Sequence, residues 1–200
     1  DGWQGREGTR AADAHGRWLY AAGRFQSPSP WGCLMEFDSR EFRNVLGSFA
    51  TGVTVVTTGR DPMFHGMTAQ SFSSLSLDPP LILVCVDKGA SMVQFLNESK
   101  AFTVNVLGAS QEDAMWYFAS KDRPLPPEEF KDVDYTVGAT GCPRLAQATT
   151  VIDCTLHEVI EGGDHLIFLG SVEALEIRAT SNPLLHYRGD YRTIAPPDGA

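Results

Sequence analysis

The chain has 200 residues, 42% of them hydrophobic, and a formal charge of −9 at neutral pH. That length suits one domain with a substantial core, and barrels of this size are commonly single domains. The acidic balance argues against electrostatic nucleic-acid binding, which needs clustered Lys and Arg, and no apolar run is long enough to span a bilayer.

Residues 1–35 are rich in Gly, Ala, Arg and Ser-Pro, with Trp3, Trp18 and Trp31 scattered among them. Neither a helical nor a strand period holds there, so this stretch reads as a flexible extension, with Trp18-Leu19-Tyr20 apolar enough to dock. No basic region is followed by an apolar block, so no secretory signal is expected. Residues 36–195 read as the folded domain. Asp38 followed by Glu41 makes a capping-box-like start, and Phe42, Val45, Leu46 and Phe49 then share one helical face. Thr51-Gly52 is expected to stop that helix, and the β-branched run Val53 to Thr58 predicts a strand. Gly59 to Pro62 turns the chain into a second strand around Gly66 to Ser71.

From Met63 to Ser91 the chain carries several signals together. Small hydroxylated residues (Thr68, Ser71, Ser73, Ser74, Ser76) precede the rigid Asp78-Pro79-Pro80 corner. The apolar run Leu81 to Val86 then predicts a strand buried on both faces. It ends at Asp87-Lys88-Gly89, after which Ser91 is placed to cap a short helix through Asn97. A cation beside a helix start favours a phosphate, and the upstream hydroxyls and backbone amides suit a flat polar ring. The same residues also read as a buried strand with a Ser-rich loop and no ligand.

Phe102 to Leu107 alternates as a fourth strand, and Ser110 with Asp113 predicts a helix carrying Met115, Trp116 and Phe118. Residues 120–133 hold charges and three prolines and read as a mobile loop, a lid, a partner surface or a plain insertion. The hairpin is the clearest element: Thr149 to Ile160 and Leu166 to Ile177, joined at Gly162-Gly163, with Gly170 marking a bulge or a close backbone approach. Residues 182–191 close the domain. Many short, locally joined strands and few helices predict a mainly β protein, a closed antiparallel barrel with short flanking helices. The absence of βαβ alternation and of a Gly-x-Gly-x-x-Gly fingerprint rejects a doubly wound dinucleotide fold.

The four cysteines (Cys33, Cys85, Cys142, Cys154) show no Cys-x-x-Cys pair and the five histidines no ligand spacing, so no metal is expected. Reduced thiols and a cytoplasmic location follow as expectations.

Taken in order, Phe42-Arg43…Phe49-Ala50-Thr51-Gly52-Val53, Gly66-Met67-Thr68-Ala69…Ser71-Phe72 and Ser76-Leu77-Asp78-Pro79-Pro80-Leu81 resemble the flavin reductase family with an FMN-binding split barrel. Phe102-Thr103-Val104-Asn105-Val106-Leu107, Gly163-Asp164-His165 and Pro183-Leu184-Leu185…Gly189-Asp190-Tyr191 continue the series. The members it resembles are reductase components of two-component flavin-dependent monooxygenases. The resemblance implies NADH or NADPH as hydride donor, FMN or FAD as acceptor, a homodimer, and a separate oxygenase that receives reduced flavin. It implies that the isoalloxazine lies along the strands at Gly52, Val53, Thr54, Thr68, Ala69 and Gln70, flanked by Phe72, Ser73, Cys85, Val86, Phe102, Asn105 and Tyr191. The phosphate would lie near Ser71, Lys88 and Ser91. Gly163 and Asp164 would meet the nicotinamide beside His165, the one residue implied in catalysis. Hydride transfer needs stacking and orientation of two cofactors and no strong acid or nucleophile, and no triad-like constellation is present. The alternatives are an FMN-binding electron carrier without enzymatic activity and a barrel-shaped binding module for another ligand.

Overall fold

The computed structural model describes residues 38–178 and 181–194, together with the backbone of 10–12, 18–20, 24–28 and 34–37. The chain divides into two compact units, Asp1–Ala50 with His186–Tyr191, and Thr51–Leu185 with Arg192–Ala200.

In the first unit, helix α1 (Ser39–Leu46) starts where expected: the Asp38 carboxylate accepts the Arg40 N–H at 2.7 Å. It stops before Thr51-Gly52. Ser48 takes the Val45 carbonyl with its hydroxyl (2.6 Å) and its N–H (3.1 Å), satisfying a last-turn acceptor without another turn of helix. The apolar face read from the sequence is exposed: Phe42, Val45, Leu46 and Phe49 are 50%, 64%, 56% and 76% accessible. Much of the expected flexible extension lies outside the described residues. Where the backbone is described, Arg10–Ala12 pairs with Trp18–Tyr20, and Arg24–Pro28 pairs with Leu34–Asp38, both antiparallel.

The second unit is built on a seven-stranded antiparallel sheet. Its strands are β1 (Thr54–Arg60), β2 (Met63–Ala69), β3 (Phe72–Leu77), β4 (Pro80–Asp87), β5 (Ala101–Val106), β8 (Thr150–Gly162) and β9 (His165–Ile177). The small hairpin β6 (Tyr135–Val137) and β7 (Pro143–Leu145) stands apart from it. Across the sheet the order is β2-β1-β5-β8-β9-β4-β3. Gly59 at the β1–β2 turn has φ +105°, and a Cβ there would lie 2.1 Å from the Met63 carbonyl oxygen, so only glycine fits. Gly170 confirms the close approach read from sequence. It faces Leu156 at a register shift, and a Cβ on it would meet Phe102 Cζ at 2.5 Å. Strand β4 alternates rather than burying both faces: Ile82, Val84 and Val86 are buried, whereas Leu81, Leu83 and Cys85 are half-buried. Helix α2 (Met92–Ser99) covers the buried face, adding Met92 and Leu96 to the core of Val56, Phe102, Val104 and Phe168.

The expectation of a closed barrel is corrected, because the sheet is open. Its edge strands β2 and β3 are joined through Gln70–Ser71, yet no ladder links them. A physical reason is visible on β2. The Gly66 N–H donates to Glu129 Oε1 (3.0 Å) and the Gly66 carbonyl accepts from Arg123 Nη2 (2.6 Å). Side chains thus occupy backbone groups that a closing strand would need, and they blunt the edge. Among the described residues, no helix is long and apolar enough to cross a membrane.

Candidate active site

At one end of the sheet, β4 runs out at Asp87-Lys88-Gly89 beside the tip of the β8–β9 hairpin. Asp87 is in register with His165, and the Lys88 N–H donates to the Asp164 carbonyl at 3.0 Å. Gly163 adopts φ +68° at that tip, as its place in the tight turn requires. The structure therefore brings together two stretches singled out separately in the sequence, Lys88 and Gly163-Asp164-His165. His165 Nδ1 lies 2.7 Å from Asp164 Oδ1, and this hydrogen bond holds the Asp164 carboxyl below the usual range. The Lys88 ammonium pairs with Glu161, at 3.3 Å, with the lysine 40% and the glutamate 83% exposed. An exposed pair of that kind is worth little, so an anion can compete for the ammonium.

The turn amides are less open than the sequence suggested. Asp87 accepts the Gly89 N–H through its side chain (2.7 Å) and the Ala90 N–H through its carbonyl (2.9 Å). Nor does Ser91 cap α2: it has helical φ and ψ and makes no side-chain cap bond. Its hydroxyl instead lies 2.9 Å from His65 Nε2.

Where the chain crosses from β2 to β3, the Ser71 hydroxyl donates to the Cys85 carbonyl (2.7 Å) and accepts the Cys85 N–H (3.2 Å). Burial pushes the Cys85 thiol up. Thr68 donates to the Met115 carbonyl (2.7 Å) of helix α3 (Glu112–Ala119), and Thr54 donates to the Ala69 carbonyl (2.8 Å). Gln70, Phe72 and Ser73 retain exposure, whereas Val53, Ala69, Val86 and Phe102 are buried. Gly52 is exposed, and Tyr191 belongs to the first unit, its ring 5.4 Å from that of His186.

Asn105 is the clearest departure from a residue facing a cofactor. It is fully buried, its amide N–H groups donate to the Val55 carbonyl and Thr57 Oγ1 (both 3.0 Å), and its oxygen accepts the Leu145 N–H (2.8 Å). Its polar groups are all engaged, tying β1 and β5 of the sheet to β7 of the separate hairpin.

Sequence reasoning missed a buried cluster centred on His65 and Glu129. His65, 1% exposed, sits on β2 with Nδ1 2.6 Å from Glu129 Oε2, and its ring stacks on Phe95 at 4.6 Å. Glu129, wholly buried, also accepts from Arg123 Nε at 2.8 Å. The Tyr117 hydroxyl donates to the Glu129 carbonyl at 2.6 Å. Burial pushes the Glu129 carboxyl up, but the bonds from His65, Arg123 and the Gly66 N–H outweigh it and hold the carboxyl below its usual range. Burial, then the Glu129 charge, raises the Tyr117 phenol. The expected mobile loop is therefore an anchored strap. Arg123 and Glu129 pin it to β2, and Phe130 packs edge-on against Phe64 with ring centres 5.8 Å apart.

The donor set around Lys88, Ser91 and the hairpin tip fits an anionic cofactor: a weakly paired ammonium, an exposed hydroxyl and a rigid turn in one region.

Comparison with known proteins agrees with the resemblance. The model of the flavin reductase like domain matches residues 46–195. The chain is 43% identical over 163 residues to the reductase subunit HsaB of a flavin-dependent monooxygenase from Mycobacterium tuberculosis, covering 80% of this chain and 85% of that one. It is 44% identical over 160 residues to an NADH-dependent FAD reductase of Streptomyces globisporus, with 80% and 87% covered. Among solved structures, BorF, the flavin reductase component of a bacterial two-component tryptophan halogenase, superposes with TM-score 0.76 at 42% identity over 80% of this chain and 99% of that one. The Streptomyces globisporus oxidoreductase SgcE6, in complex with NAD and FAD fragments, gives TM-score 0.74 at 38% identity over 89% and 100%.

Proposed function

The chain belongs to the flavin reductase family, and from that premise we propose that it is an NAD(P)H:flavin oxidoreductase that supplies reduced flavin to a separate oxygenase. Relatives named NADH-dependent FAD reductase and NADH-dependent FMN reductase favour NADH as donor and either flavin as acceptor. The observation that carries the reading is the meeting of Lys88 with Gly163-Asp164-His165 at one end of the sheet. That meeting supports a reading in which Lys88 binds a phosphate close to a turn that faces the nicotinamide.

When bound, the flavin accepts a hydride from the reduced nicotinamide, and that chemistry belongs to the cofactors. The chain's task is to hold and orient them. Lys88 and Ser91 take the flavin phosphate, Lys88 by exchanging its weak contact with Glu161 for the anion. Gln70, Ser71, Phe72 and Ser73, where β2 passes into β3, would hold the ring. Thr54, Ala69, Phe102 and Asn105 would support them as the packed residues that fix those strands. His165, held by Asp164, orients the nicotinamide, and the rigid turn at Gly163 keeps it in place.

The protein acts as a homodimer in this reading. Exposed apolar side chains support that: Leu75 and Leu77 on the edge strand β3 (49% and 95% accessible), and Leu175 and Ile177 at the end of β9 (71% and 76%). The proposed function is tested by placing the protein and NADH on one side of a dialysis membrane under anaerobic conditions, with flavin free to cross. Bleaching of the flavin in the protein-free chamber is expected. Flavin that stays oxidised there, while NADH is available, would sink the supply role.

A further inference from the structure

The buried His65 ends on the exposed hydroxyl of Ser91, and its chemistry constrains what that hydroxyl can do. Glu129 is a carboxylate that accepts from Arg123 and the Gly66 N–H, so the His65 nitrogen 2.6 Å from it carries the hydrogen. The other nitrogen, Nε2, faces Ser91 Oγ at 2.9 Å. With a neutral ring, Nε2 is an acceptor and Ser91 must spend its only O–H on it, leaving acceptor lone pairs toward solvent. With a protonated ring, Nε2–H donates to Ser91 Oγ and the hydroxyl hydrogen is free to point outward. Only the second arrangement offers a donor to an anion.

We propose that His65 is a positioning residue for the flavin phosphate: protonated and held by Glu129, it turns the Ser91 hydroxyl into a phosphate donor. This rests on the flavin reductase reading and on Ser91 lying at the phosphate. Phosphate binding then takes up one proton from solvent at His65 Nε2, with no bond in the flavin changed. The geometry supports such a relay. Ser91 adjoins α2 but does not cap it, and the ring cannot turn away because it is stacked on Phe95 and 99% enclosed. The charged and titratable groups around His65 belong to one cluster: Glu129 directly, with Arg123 and Tyr117 acting through Glu129. Helix α2 presents the uncharged Phe95 and Ser91, and β1 presents Thr58 opposite His65 in the ladder.

The test measures dissociation constants of FMN and riboflavin, which lacks the phosphate, at about pH 6 and about pH 8. The wild type, Ser91→Ala and His65→Gln are compared. In the wild type the preference for FMN over riboflavin should fall roughly tenfold more as pH rises than in either variant. The second ionisation of the FMN phosphate is common to all three proteins, so the difference reports the relay. Riboflavin affinity should change little throughout. Calorimetry of FMN binding in buffers of different ionisation enthalpy should show proton uptake by the wild type beyond that of Ser91→Ala. Should His65→Gln fail to fold, Ser91→Ala, an exposed change, decides the matter alone. A loss of FMN affinity in Ser91→Ala that is equal at both pH values would leave Ser91 as a plain phosphate ligand and overturn the role of His65. An unchanged FMN-to-riboflavin ratio in Ser91→Ala would overturn it by removing Ser91 from the phosphate. Failure of the wild type to bind either flavin would instead be a failure of the underlying functional reading.

Discussion

In the proposed reading, single residues at the hairpin tip should separate binding from turnover. Lys88 and His165 lie on opposite sides of the β4–β9 ladder end, joined by the bond from the Lys88 N–H to the Asp164 carbonyl. Lys88→Ala is expected to weaken FMN about tenfold, ~1.4 kcal/mol, and riboflavin much less. His165→Ala should leave FMN affinity within about threefold but lower kcat/KM for NADH roughly tenfold, the size of one positioned contact. Fluorescence titration and steady-state NADH oxidation on the same preparations check both. Weakened FMN binding with normal turnover in His165→Ala would make that histidine a flavin ligand instead. The sequence singles these two residues out because each sits in a short local signal, a cation before a helix or a Gly-Asp-His turn. It does not single out His65 and Glu129, which are 64 positions apart and have no local pattern. Asn105 is placed near the cofactor by resemblance alone, and only the fold shows the Leu145 N–H and the Val55 carbonyl that engage it.

At the scale of elements, the long hairpin and β1 read correctly because period-two alternation and β-branching are local properties. Closure of the sheet did not, because it depends on which groups occupy the outer side of β2. The β7–β8 region carries a second buried ion pair that bears on stability. Asp153 is fully buried and accepts from Arg144 Nη2 (2.6 Å), Thr103 Oγ1 (2.7 Å) and the Ala139 N–H (2.6 Å). Burial pushes its carboxyl up, but these bonds together hold it below the usual range. A depressed carboxyl contributes stability that is present above the unfolded value, about 3.9, and lost as pH falls through the lower folded value. Arg144→Ala leaves that charge buried without its cation and should cost about 3 kcal/mol in urea unfolding at neutral pH. The variant's deficit should shrink in acid, as the wild type loses the same contribution. A deficit that stayed constant down to acid unfolding would show that Arg144 acts by packing alone.

Across the whole molecule, the exposed apolar side chains on β3 and β9 are numerous for a surface meeting only water. Leu77 is 95% accessible and Ile177 76%. A homodimer is expected in sedimentation equilibrium, and Leu77→Asp or Ile177→Asp should shift it toward monomer if its side chain lies in the contact. A monomeric wild type at micromolar concentration would remove the dimer from the account. The central claim is that flavin is reduced by catalytic turnover, and the most direct measurement is steady-state NADH oxidation with free FMN or FAD varied over a wide range. The rate should saturate with added flavin and continue through many turnovers per protein. A single stoichiometric reduction, or no oxidation of NADH or NADPH with any free flavin, would contradict the account and favour an electron carrier that keeps its flavin.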